Sequence, residues 1–253
     1  MIKKKLKKII NFFGFDIKRI NNEIKNISFD EILQRRLSNN PIIFDVGANR
    51  GQSIERFSKL FSSFTIHSFE PIAEEFDRLK KKFGNIDNIY LNNFALGEKE
   101  ERKEFYVSAK SDTSSFNKIN LGTNWLKKRS KQYNTSEKKF IKPAIVNIKT
   151  LDNYCKKNNI DKIDILKIDT QGYEDKVLEG SLKFIKKNKI GIVITEIILD
   201  DVYDKYFSFS DLEKFLVPYN FRMVGIDLIN NNIFSGLIFS ADLMYFNKKH
   251  HNI

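Results

Sequence analysis

At 253 residues, with 41% hydrophobic and 13% aromatic side chains, the chain is long enough for one substantial α/β core and too short for two comfortable ones. A charged share of 30%, with no uncharged apolar run of about 18 residues, argues against a membrane-spanning helix. The lone Cys155 excludes an internal disulfide, no Cys or His cluster has zinc spacing, and no secretory leader is evident, so a cytoplasmic protein without a metal site is expected. The formal charge of +12 calls for an anionic partner, but Lys3, Lys4, Lys5, Lys7, Lys8, Lys18 and Arg19 against Asp16 supply half of it within residues 1–20.

Residues 1–40 therefore read as a basic amphipathic helical segment. Ile2, Leu6, Ile9, Ile10, Phe13, Ile17 and Ile20 recur at helical spacing with lysines on the opposite face, and Gly14 interrupts them. Two readings stand: the segment packs on the main domain, or residues 2–20 lie against an anionic membrane, placing the protein peripherally at the inner membrane surface.

From Pro41 onward strands and helices alternate. Ile42 to Val46 is a short buried strand, Gln52 to Phe61 a helix, Thr65 to Phe69 a strand ending at Glu70-Pro71, Ala73 to Phe83 a helix, and Ile89-Tyr90-Leu91 a third strand. Phe105-Tyr106-Val107 suits an added β element. Residues 108–143, rich in Ser, Lys and Asn, read either as a mobile surface insertion or as a lid on which Trp125 or Tyr133 stacks against an acceptor. Ile163 to Ile168 is a fourth core strand, Glu174 to Ile185 a helix, Ile190 to Ile194 a fifth strand, and a helix lies around Asp211 to Leu216. Phe221 to Ile226 and Leu243 to Phe246 follow without a helical crossover, as in a closing antiparallel pair. This rhythm predicts an α/β fold: a doubly wound, mostly parallel sheet with a closing antiparallel strand pair and a β/loop insertion, binding ligands at the carboxyl ends of its strands.

The most informative stretch is Phe44-Asp45-Val46-Gly47-Ala48-Asn49-Arg50-Gly51-Gln52, a strand that enters a helix through a glycine turn. Gly47 and Gly51 admit positive φ and close approach of a ligand. Their spacing is Gly-x-Asn-x-Gly, not the Gly-x-Gly-x-x-Gly that faces a pyrophosphate, so a nucleoside ligand without phosphate such as S-adenosylmethionine fits better, with Asp45 near its cationic amino-acid end. Glu70 stands some 20 residues on, where such folds place the acid that accepts from ribose hydroxyls. Asn93-Phe94-Ala95 follows the third strand, in reach of an adenine.

Asp169 ends the fourth strand and Glu196 follows the fifth, both at the ligand-binding edge. Either positions or deprotonates an acceptor hydroxyl, or the two hold a hard divalent cation; the plainer alternatives are a turn cap for Asp169 and a lysine salt bridge for Glu196. His67 reads as a hydrogen-bonded sheet residue, His250 and His251 as a solvated tail, and Cys155 as inert.

Phe-Asp-Val-Gly-Ala-Asn-Arg-Gly-Gln at 44–52, Phe-Glu-Pro at 69–71, Asn-Phe-Ala-Leu-Gly at 93–97, Ser-Ser-Phe at 114–116, Lys-Thr-Leu-Asp at 149–152 and Leu-Lys-Ile-Asp-Thr-Gln-Gly-Tyr-Glu at 166–174 resemble, in order and spacing, the FkbM family of S-adenosylmethionine-dependent methyltransferases. The resemblance spans residues 41–200 and implies a class I, Rossmann-like methyltransferase domain over residues 41–253 that methylates oxygen. It also implies that Asp45, Gly47, Asn49, Gly51, Glu70 and Asn93 line the cofactor site, with Ala48, Gln52, Ser53, Pro71, Phe94 and Ala95 beside them. Thr170-Gln171 stands where many relatives carry Val-Glu. The preferred acceptor is a sugar of a surface glycan or lipid-linked saccharide, and the alternative a small-molecule natural product such as a polyketide. A nicotinamide-dependent oxidoreductase would need the dinucleotide turn that this chain lacks. A nucleic-acid-binding module would account for the charge, but no motif for one occurs, and no nucleic-acid partner is expected.

Overall fold

The computed structural model describes residues 27–109, 111–199, 202–205, 207–230 and 238–251. The amphipathic segment 2–20 lies outside them. Helix α1 (Phe29–Arg36) starts on the Ser28 side chain, which accepts from the Glu31 N–H, and is followed by β1 (Ile42–Val46), α2 (Gln52–Leu60), β2 (Thr65–Phe69), α3 (Ala73–Phe83) and β3 (Ile89–Asn92). Next come the short β4 (Ala95–Leu96), β5 (Glu101–Ser108), α4 (Asn124–Gln132), β6 (Ile141–Lys149) and α5 (Leu151–Lys157). β7 (Ile163–Ile168), α6 (Glu174–Glu179), α7 (Leu182–Lys186), β8 (Ile190–Ile198), α8 (Phe209–Leu216), β9 (Phe221–Asn230) and β10 (Ile238–Asn247) complete the order.

Seven strands form the main sheet in the order β3-β2-β1-β7-β8-β10-β9. The first five run parallel, while β10 pairs antiparallel with both β8 and β9. This is the doubly wound α/β arrangement with an antiparallel closing pair. Its strand order reverses between β1 and β7, where open sheets of this kind leave a crevice for ligands. The strands are apolar on both faces because helices cover both. Phe44, Leu166, Val177, Leu178 and Leu212 form one core layer, and Ile43, Phe57, Leu79, Ile192 and Met244 the other. β4, β6 and β5 make a second sheet of three strands, which takes up Phe105-Tyr106-Val107 as the expected added β element.

Two boundaries differ from the reading of the sequence. β8 continues through Thr195-Glu196-Ile197-Ile198, because β10 pairs with it as far as Ser240 opposite Ile198; Glu196 is therefore inside the strand and does not follow it. The helix expected over 174–185 is broken between Glu179 and Leu182. Gly180 packs so closely on the chain at Gly97 that a Cβ there would lie 2.0 Å from the Gly97 carbonyl oxygen.

The insertion is folded. Thr123 caps α4 by accepting from the Leu126 N–H, and Trp125, Leu126 and Phe140 build a small core with Ile119, Ile198, Val202 and Tyr203. Trp125 is 1% exposed and cannot stack on an acceptor. That expectation is corrected: the tryptophan is the anchor of the insertion. Tyr133 stays partly exposed, with its ring 6.1 Å from Phe140.

Among the described residues no helix is long and apolar enough to cross a membrane. His67 is buried with Nδ1 2.8 Å from the Tyr154 hydroxyl, and burial pushes its pKa down to about 4, as suits a neutral sheet residue. Burial likewise pushes the Cys155 thiol up to about 12, which leaves it unreactive. His251 is not a solvated tail residue: its ring lies 4.6 Å from Phe246 and its Nε2 is buried.

Because Trp125 is the largest side chain of the small core that joins the insertion to the chain after β8, Trp125→Ala should cost about 3–5 kcal/mol by leaving a cavity that the insertion cannot close. Urea denaturation followed by far-UV circular dichroism measures this, and a loss under about 1 kcal/mol would contradict the anchoring role.

Candidate active site

A cavity of about 790 Å³ opens at the carboxyl edge of the sheet, over the switch point between β1 and β7. Its size suits a nucleoside-sized ligand together with part of a second molecule. The turn after β1 contributes Gly47, Ala48 and Asn49, and the first helical turn of α2 contributes Gln52 and Ser53. Gly47 holds φ +87°, and a Cβ there would stand 2.0 Å from the carbonyl oxygen of Asp169. Only glycine lets the turn after β1 pass that close to the end of β7. Gly51 also has positive φ, but its missing Cβ leaves room for the Phe83 ring at 2.4 Å. It seats α2 on α3 and is not on the cavity wall.

Glu70 leaves the end of β2 and reaches the wall. Its Oε2 accepts from the Asn49 N–H at 2.9 Å and its Oε1 from the Ile72 N–H at 2.7 Å. Burial pushes its pKa up to about 7 against these two hydrogen bonds. Each carboxylate oxygen keeps a lone pair for a ligand hydroxyl. Pro71 and Ala95 also line the cavity, as do the apolar Phe69, Leu96 and Phe105.

Besides Gly51, three of the expected contacts lie elsewhere. Asn93 is off the wall, and its Nδ2 donates to the carbonyl oxygens of Glu70 and Pro71, holding that loop. Phe94 packs on Phe69 and Tyr154 with the Lys149 ammonium 4.1 Å from its ring centre. Asp45 is fully buried one layer below the cavity, and neither carboxylate oxygen has a hydrogen-bond partner. The Lys167 ammonium stands 3.6 Å from Asp45 and donates to Asp169 Oδ2 at 3.2 Å. Burial alone would lower the Lys167 pKa, but the two carboxylates outweigh it and hold it above the ordinary lysine value. Asp45 is raised by burial, with Lys167 opposing.

Asp169 and Glu196 are brought together. Gln171, at φ +56°, donates from Nε2 to Asp169 Oδ1 at 3.1 Å and to Glu196 Oε2 at 2.6 Å, while its Oε1 accepts from the Tyr203 hydroxyl at 3.3 Å. Burial, then the nearby Asp169 charge, pushes Glu196 up to about 8. The turn cap is Glu174, which accepts from the N–H groups of Thr170 and Gly172 and leaves Asp169 free to face the cavity. Glu196 has no lysine salt bridge among the described residues. The insertion supplies the outer wall with Ser111 to Ser114, Arg129 and Gln132.

The sequence model of the Methyltransferase FkbM domain matches residues 45–223. The chain belongs to this family. The matched residues are accordingly a methyltransferase domain with S-adenosylmethionine as its cofactor. Over 164 residues the chain is 24% identical to the 2-O-methyltransferase NoeI of Sinorhizobium fredii (strain NBRC 101917 / NGR234), a match that covers 65% of this chain and 66%, just under two thirds, of that protein. In overall shape it is similar to an rRNA methylase from Streptococcus thermophilus (TM-score 0.47, 11% identity, 86% of this chain and 93% of that one). It is also similar to M. capricolum TrmK in complex with S-adenosyl-homocysteine (TM-score 0.44, 12% identity, 88% and 70%).

The cavity's chemistry fits the cofactor. Glu70 offers acceptors to a ribose diol, the apolar strip offers a surface to adenine, and the polar groups of Asn49, Gln52 and Ser53 suit the methionine end.

Gln171 and Lys167 were missed as functional residues because nothing in their spacing marks them; the only signal was the departure at Thr170-Gln171. A pH test follows from Glu196. Between about 4.5 and about 8 the folded chain holds a proton that the unfolded chain has released. The stability tied to this group is therefore present below the lower value and lost as pH rises through the upper. Urea midpoints of Glu196→Gln and wild type should diverge from about pH 5 to about pH 9 in the variant's favour; parallel profiles would place the group's folded pKa near its ordinary value.

Proposed function

We propose that this methyltransferase transfers a methyl group to a hydroxyl of a sugar, on a surface-glycan or lipid-linked saccharide. The observation that carries the reading is the pair Asp169 and Glu196, tethered through one amide on the cavity wall. An acid pair with a group titrating near neutrality suits an alcohol, which must give up its proton as it becomes a nucleophile. The name of the relative from Sinorhizobium fredii, a 2-O-methyltransferase, favours the same acceptor class. A small-molecule natural product is the second reading, favoured by a cavity large enough to enclose it.

S-adenosylmethionine, when bound, supplies a methyl group on a sulfonium that is already a good leaving group. The protein's part is orientation, exclusion of water and proton transfer. The Glu70 side is proposed to hold the ribose, and the turn 47–53 the amino-acid end. Gln171 occupies Glu196 Oε2, leaving Oε1 to accept the acceptor's hydroxyl proton while Asp169 orients that hydroxyl. Lys167 balances the charge of Asp169 and Asp45 from below. Base assistance of this kind contributes about 10²- to 10⁴-fold, with alignment contributing more.

Asp169→Asn should lower kcat by about 10²-fold or more with little change in cofactor Kd, since the lost interaction strengthens only as the hydroxyl becomes nucleophilic. Glu196→Gln should remove a rise in rate with pH centred near 8. S-adenosyl-homocysteine release across a panel of saccharides and polyketide alcohols measures both. Full activity in both variants would return the two acids to a structural role.

We further propose that residues 2–20 contact anionic membrane. Each lysine near such a surface contributes about 1 kcal/mol. Co-sedimentation with phosphatidylserine vesicles should be lost on deleting the segment and weakened by salt, with cofactor binding spared. Sedimentation unchanged by either treatment would contradict it.

A further inference from the structure

Three cations line the cavity: Arg56, Lys167 and Arg129. Two are already neutralised. Arg56 pairs with Asp30 at 2.6 Å, and Lys167 with Asp169 at 3.2 Å and Asp45 at 3.6 Å. Arg129, on α4, has no ion pair among the described residues. Its guanidinium carbon lies 5.9 Å from the centre of the buried Trp125 ring, and Nη1 donates to Gln132 Oε1 at 2.9 Å. These contacts fix the plane of the group and use one side of it. Nε is buried and has no hydrogen-bond partner.

A buried N–H of a permanently charged group costs free energy unless something accepts from it. The Nε–Nη2 edge is one of the two faces on which arginine takes a planar oxyanion through parallel hydrogen bonds. Glutamine at 132 helps to hold the fork without cancelling its charge. We propose that Arg129 is an anion-binding residue of the active-site cavity, taking a carboxylate or phosphate group side-on at its Nε–Nη2 edge. This rests on the cavity being the cofactor and acceptor site. The oxyanion has two sources, the α-carboxylate of the cofactor and an acid group on the acceptor, such as a uronate or a sugar phosphate. In the second case the acceptor class narrows to acidic saccharides.

Titration calorimetry on wild type, Arg129→Lys and Arg129→Gln separates these sources. The probes are S-adenosyl-homocysteine, methylthioadenosine, which lacks the amino-acid end, and glucuronate or inorganic phosphate added to protein saturated with S-adenosyl-homocysteine. If the oxyanion is the cofactor's, Arg129→Gln should weaken S-adenosyl-homocysteine about 10-fold or more and leave methylthioadenosine unchanged. If it is the acceptor's, both nucleosides should bind as in wild type, while glucuronate or phosphate binding to the loaded protein is lost. Arg129→Lys keeps the charge without the fork and should recover only part of the affinity. It also serves as the folded control should loss of the contact with Trp125 unfold Arg129→Gln. Equal affinity of wild type and both variants for all probes overturns the proposal, as does an equal weakening of both nucleosides. Failure of wild type to bind S-adenosyl-homocysteine at all would count against the cavity assignment itself.

Discussion

The turn after β1 passes the end of β7 at a distance that no side chain on residue 47 would allow, and the working edge of the molecule depends on that crossing. With a Cβ placed 2.0 Å from the Asp169 carbonyl, any residue but glycine would push the two strand ends apart. Because they are close, the Asp169 N–H donates to the Val46 carbonyl, and Lys167 and Asp45, opposite each other in register, bring their charges together beneath the turn. The crevice above inherits its floor from backbone contact and its charge from side chains below. Methyl transfer requires such rigidity, since a misplacement of about 1 Å at the reacting centre can cost about 10²-fold.

The parallel sheet was legible because its strands are short continuous apolar runs separated by amphipathic helices, so both periods could be counted. The extension of β8 was not, since Glu196 inside an apolar run looks like a terminus; only pairing with β10 shows that the strand continues beneath the acid. The need for glycine at 180 was equally hidden, because what stands against it is the Gly97 carbonyl, 83 positions away in the chain.

At the site, Glu70 and the turn 47–49 were readable as strand ends followed by glycine or proline. Asn93, Phe94 and Asp45 were read from their places beside strand ends, with Asn93 and Asp45 also implied by the resemblance, and a motif can persist because it holds a loop or a buried charge as well as because it touches a ligand. The hydrogen bonds from Asn93 to the Glu70 and Pro71 carbonyls show the first case. The orphaned oxygens of Asp45 beside Lys167 show the second. Arg129 and Trp125 lay in a polar stretch without period, where no local pattern distinguishes a buried anchor from a surface ring.

The small core of the insertion has an architectural consequence. Ile198, Val202 and Tyr203 belong to it as fully as Trp125, Leu126 and Phe140, and the Tyr203 hydroxyl also lies within hydrogen-bond reach of the Thr113 carbonyl and of Gln171. The outer wall of the cavity is therefore one module drawn from two stretches of chain, and the second is continuous with the strand that carries Glu196. Divergence among relatives cannot trade this wall as a cassette bounded by residues 108 and 143. A new acceptor surface has to arise by substitutions that keep both halves packed, or by replacing them together, so the residues just after Ile198 should drift in step with the insertion and not with the sheet.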